Sequence, residues 1–81
     1  MRTEAPSPLT ADEHRELGRE IKATAARLQE LQKLVDSVYG PNNQSSFSFR
    51  RTVESLERLQ NDLQAQAAAD LPGFLVDGFY V

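Results

Sequence analysis

From residue 14 onward the chain sets His14, Leu17, Ile21, Thr24, Leu28, Leu31, Val35 and Val38 at alternating spacings of three and four. That is a heptad seam, and it predicts one long amphipathic helix. Arg15, Glu16, Arg19, Glu20, Lys22, Arg27, Glu30 and Lys33 lie between the seam positions and form a mixed-charge face suited to water. Thr10-Ala11-Asp12-Glu13 has the Thr-x-x-Glu order of a capping box and puts acids in the first turn, where the helix dipole favours them. Gly40 suits the left-handed position past a helix end and Pro41 cannot continue the ladder, so helix 1 is predicted over about residues 11–39. Gly18 within it costs about 1 kcal/mol relative to Ala.

Residues 40–46 are a run of turn formers, and so short a connection predicts antiparallel neighbours. Helix 2 is predicted over about 47–69, starting between Ser46 and Ser48, with inner positions Phe49, Val53, Leu56, Leu59 or Gln60, Leu63 and Ala67. Folding the seams together pairs Val38 with Phe49, Val35 with Val53, Leu31 with Leu56, Leu28 with Leu59 or Gln60, and Ile21 with Ala67. The zipper then closes well near the loop and thins at the open end, where Ala65, Ala67, Ala68 and Ala69 offer little side-chain area.

Asp70-Leu71-Pro72-Gly73 ends helix 2, and residues 71–81 form an apolar C-terminal tail with three of the chain's six aromatics. Asp77-Gly78 between two apolar runs is a two-residue hairpin signal, so the tail is expected to be extended or a short β-hairpin. Leu71, Phe74, Leu75, Val76, Phe79, Tyr80 and Val81 are therefore the candidate partner-binding residues. The competing expectation is that the tail folds over the alanine-rich end of its own hairpin or of a dimer mate. Residues 1–9, with Pro6 and Pro8 among polar residues, are expected to form a mobile arm.

Leu34 lies beside the seam, and the Leu59/Gln60 pair widens the apolar stripe of helix 2, so each helix has more apolar surface than one two-helix contact can bury. The expected architecture is all-α: an antiparallel hairpin pairing into a dimeric four-helix bundle. Its seam consists of Leu17, Ile21, Leu28, Leu31, Val35 and Val38 with Phe49, Val53, Leu56, Leu59 and Leu63. Thr24 and Gln60 would then be polar seam positions that fix register.

Composition narrows the chemistry. Eighty-one residues amount to one small domain, and the twelve acids against nine Lys/Arg give a net charge of −3, the reverse of a nucleic-acid binder. Without cysteine there is no disulfide, thiol catalysis or Cys-ligated metal. Neither a secretory signal nor an 18-residue apolar run occurs, so no membrane partner and a cytoplasmic location are expected.

His14, the one histidine, stands among Asp12, Glu13 and Glu16 and is expected to be solvated or lightly paired, with no second His or Cys to complete a metal site. Glu54, Arg58 and Asp62 follow at i,i+4 as a salt-bridged surface. Arg50-Arg51 beside Phe47 and Phe49 is a small basic-aromatic cluster, and Asn43-Gln44-Ser45 matches a glycosylation pattern but reads as a turn. The outline is similar to that of needle subunits of bacterial injection systems, yet Gly40-Pro41-Asn42-Asn43 lacks the second proline of that family's turn. The absence of Trp excludes the Trp-x-Gly hairpins, so the residues support neither family. The expected function is a non-enzymatic interaction or assembly module without cofactor, acting as a homodimer and through an unidentified protein partner. The alternatives are a self-assembling structural subunit of a filament or shell and, after it, a small-ligand carrier or enzyme.

Overall fold

The computed structural model describes residues 7–81. Two helices, α1 (Ala11–Tyr39) and α2 (Gln44–Asp70), pack against each other as a hairpin, and no strand occurs among the described residues. The mobile arm expected over 1–9 lies, through residue 6, outside the described residues.

Each helix begins where a side chain satisfies its first free N–H groups. The Thr10 hydroxyl accepts from Glu13 N–H at 3.2 Å while the Glu13 carboxylate accepts from Thr10 N–H at 2.8 Å, completing the capping box. Gly40 ends α1 at φ +90° and donates its N–H to Asp36 O at 2.9 Å. Helix α2 starts at Gln44, earlier than the Ser46–Ser48 window, because Asn43 is the cap: its side chain accepts from Ser45 N–H at 2.8 Å. Ser46 is buried in the first turn and donates to Gly40 O at 2.8 Å, and Arg50 reaches back to Pro41 O at 3.0 Å. The loop is thus tied to α2 by two side chains that the turn composition alone did not single out.

The inner faces follow the helical repeat with one drift. Leu17, Ile21, Leu28, Leu31, Val35, Phe49, Val53, Leu56 and Leu63 are all half-buried, whereas Thr24 and Val38 point to solvent and Ala25 lies inside. A straight helix rotates about 20° per heptad against a strict seam, which over α1 carries Val38 out to 61% exposure. On α2 the ambiguity resolves toward Gln60, which is half-buried, while Leu59 is 41% exposed.

Among the described residues the buried apolar side chains are Ala67, Val76 and Tyr80, backed by Leu17, Leu63, Leu71 and Phe79. The tightest packing is therefore at the open end, because the tail folds back across it. Residues 71–81 make two turns, Phe74 N–H to Leu71 O at 3.0 Å and Phe79 N–H to Val76 O at 3.1 Å. Asp77-Gly78 lies in the second turn with Gly78 at φ +81°, and no strand flanks it, the forms expected there being an extended tail or a short β-hairpin. Arms of three residues are too short to sustain a ladder, so the tail's backbone is bonded to helix side chains instead.

Candidate functional site

An antiparallel hairpin brings the first turn of α1 beside the last turn of α2, and the tail adds a third wall there. His14 comes from the first, Asp70 from the second and Tyr80 from the third. His14 Nε2 lies 3.0 Å from Asp70 Oδ2 and His14 Nδ1 lies 2.7 Å from the Tyr80 hydroxyl, with both rings fully buried and set edge to face at 89°. A carboxylate only accepts, so Nε2 carries the proton toward Asp70, and in the neutral ring Nδ1 accepts from the phenol. His14, expected to be solvated or lightly paired, is thus a buried residue whose partners are supplied from 56 and 66 residues away. The hydrogen bond from His14, helped by Gln66 Nε2 donating to Asp70 Oδ1 at 2.8 Å, holds the Asp70 carboxyl below its ordinary range. Burial, reinforced by the Asp70 charge, pushes the Tyr80 phenol up.

The backbone of the tail is read by side chains of both helices. Gln64 uses both ends of its amide, donating to Val76 O at 2.7 Å and accepting from Tyr80 N–H at 3.0 Å. Gln60 donates to Tyr80 O at 2.8 Å, and the Lys22 ammonium donates to Gly78 O. Gly18 gives the tail room: a Cβ there would overlap the Phe79 carbonyl. Its helix penalty is offset by the close approach it permits.

The chemistry open to this site is limited. Asp–His–hydroxyl is the order of a nucleophile-activating relay, but here the hydroxyl is fully buried and its pKa is raised, the opposite of activation. Among the described residues no group of three or more His, Asp or Glu could hold a metal, and no helix is long and apolar enough to cross a membrane. An open cleft of about 380 Å³ between Pro8, Leu9, Leu63 and Gln66 borders the His14–Asp70 pair. On the outer side, Arg15 lies over the Phe74 and Phe79 rings at 5.7 and 5.4 Å and pairs with Asp12 at 2.8 Å. The Arg50-Arg51 cluster is likewise engaged, with Arg51 over Phe47 at 5.8 Å.

The tail residues singled out from the sequence divide into two sets. Val76 and Tyr80 are buried and Leu71 and Phe79 half-buried, while Phe74, Leu75 and Val81 are exposed, Leu75 at 81%. Gly18, His14, Gln60, Gln64 and Asp70 complete the site, and none of them was picked out from the sequence as tail-binding. Away from the tail lies a second surface. At about 100° per residue, Leu34 and Val38 are roughly 160° around α1 from Gly18, and Leu59 is about 140° around α2 from Gln64. All three are exposed, and on α2 the flank continues through Ser45, Ser48, Thr52 and Ser55 without a charge.

No protein-family model, curated protein or solved structure matches the chain.

Proposed function

We propose that this chain is a non-enzymatic protein–protein interaction and assembly module that works as a dimer of helical hairpins. The observation that carries the reading is the exposure of Leu34, Val38 and Leu59, at 57%, 61% and 41%, on the side of the hairpin the tail leaves uncovered. The occupant of that side is a second copy. A helical layer needs a second layer to bury its apolar stripe, and here most of the seam stays half-buried, the buried apolar residues Ala67, Val76 and Tyr80 lying at the end the tail covers. The uncharged flank of α2 imposes no repulsion between copies and little desolvation cost. A standard interface takes about 800 Å² from each partner, a small part of the 5900 Å² this chain exposes.

Two hairpins joined through these flanks form a four-helix bundle. The tails then lie on its outer sides, where Phe74, Leu75 and Val81 are free to meet a further protein. The burial of the Tyr80 hydroxyl at the end of the His14 relay supports a structural part for the tail's inner half and no reaction there.

Light scattering of the full chain at several concentrations tests this. The expected result is twice the chain mass of 9.1 kDa, falling to one chain mass in Leu34→Glu/Leu59→Glu with helix content retained. A single chain mass for the unaltered protein at every concentration refutes the reading.

A further inference from the structure

The groove at the open end treats the tail as a peptide ligand. The hydrogen bonds from helix side chains to the tail end on Val76, Gly78 or Tyr80, and four of the five go to main-chain atoms. Amide side chains that pair with main-chain N–H and C=O groups hold a segment whatever its side chains, and pockets add the sequence preference. Here the preference comes from the Tyr80 pocket closed by His14, the left-handed Gly78 and the close approach over Gly18. Within the connecting segment Leu71 packs against the core and bonds Ala67 O, and the residues after it contribute less. Phe74 and Leu75 are 48% and 81% exposed, and Pro72-Gly73, with Gly73 at φ +80°, forms a turn that holds slack.

We infer that this groove is a peptide-recognition site for a segment of the form Val-x-Gly-Phe-Tyr, and that it accepts the tail of a second copy in place of its own. The contacts within the groove are identical in both arrangements, so the linker decides between them. Drawn out, residues 71–75 span about 17 Å, more than the 15 Å smallest Cα extent of the folded chain. Folded back, the same five residues hold the tail at a local concentration on the order of millimolar, so exchange is concentration-driven. It links copies through the tail side and does not depend on the apolar flanks opposite.

The test is made on the full chain. In a millimolar mixture of isotope-labelled and unlabelled protein, filtered NOE spectra are expected to show contacts from the Tyr80 ring of one chain to His14 and Gly18 of another. A second arm mixes two full-length variants: Gly18→Val, with a blocked groove and intact tail, and Tyr80→Ala, with an intact groove and defective tail. The mixture is expected to melt about 4 °C or more above either variant alone and to contain hetero-association absent from each. Repeating the NOE arm in Leu34→Glu/Leu59→Glu separates tail exchange from pairing through the flanks. Contacts confined within one chain, together with a mixture that melts as its two components, overturn the inference.

Discussion

Gly18 and Phe79 meet as backbone against backbone: the Phe79 carbonyl occupies the space that a side chain at position 18 would need. In an isolated helix Gly18→Ala adds about 1 kcal/mol of stability. Here the contact reverses the sign, because the added carbon must push the tail outward and with it Tyr80. Gly18→Ala is expected to lower stability by about 1–3 kcal/mol, measured by denaturant unfolding. A gain in stability would mean that the tail does not sit on α1.

The Tyr80 hydroxyl is worth more than its size suggests, because removing it leaves His14 Nδ1 buried without its partner. Tyr80→Phe keeps the ring and the packing, so its cost isolates the hydroxyl, and about 1–3 kcal/mol is expected. In a double-mutant cycle with His14→Ala the two losses should fall short of additive. Additive losses would place the ring and the phenol in separate environments.

Two titrations bound the stability of the latch. The Asp70 carboxyl is held below its ordinary value of 3.8 in the folded chain, so its contribution is present above that value and lost as the pH falls through the folded one. Asp70→Asn is expected to flatten the acid limb below about pH 4. The Tyr80 phenol is raised above 10.0, so its contribution is full below pH 10 and lost as the pH climbs through the folded value. Tyr80→Phe should remove that alkaline decline, and thermal melts across pH 2–5 and 9–12 read both limbs. Unchanged limbs in the variants would refute the assignment.

Gln64 clamps two main-chain groups of the tail with one side chain. Gln64→Ala should speed amide hydrogen exchange at Tyr80 by about tenfold or more, with α1 amides near the loop unaffected. Equal protection of Tyr80 in both proteins would show that packing alone holds the tail.

Which parts of this were legible in the sequence follows from the range of the interactions. The limits of α1 are set within four residues of each end, by Thr10 with Glu13 and by Gly40 before Pro41, and the sequence displays both. The start of α2 is harder to see, because Asn43 and Ser46 have the composition of a loop, whereas one caps the helix and the other bonds Gly40. Hydrophobicity alone would turn Leu59 inward, whereas Gln60 takes that place for a carbonyl that arrives from residue 80. His14 and Gly18 carried a usable sign: a histidine on a seam and a glycine one turn later in a well-capped helix mark a place where another part of the chain comes close. What was missing was the identity of that part, because pairings across 56 and 66 residues leave no local pattern.

In the proposed dimer one side of the hairpin is closed by its tail and the other by a second copy. Methyl NMR with a soluble paramagnetic agent measures both sides at once. At high concentration the methyls of Leu34, Val38 and Leu59 should be shielded almost as well as those of Val76, and on dilution they should become accessible while Val76 stays protected. Methyls of Leu34 and Leu59 that are open at every concentration, or a Val76 as accessible as Leu75, would contradict it.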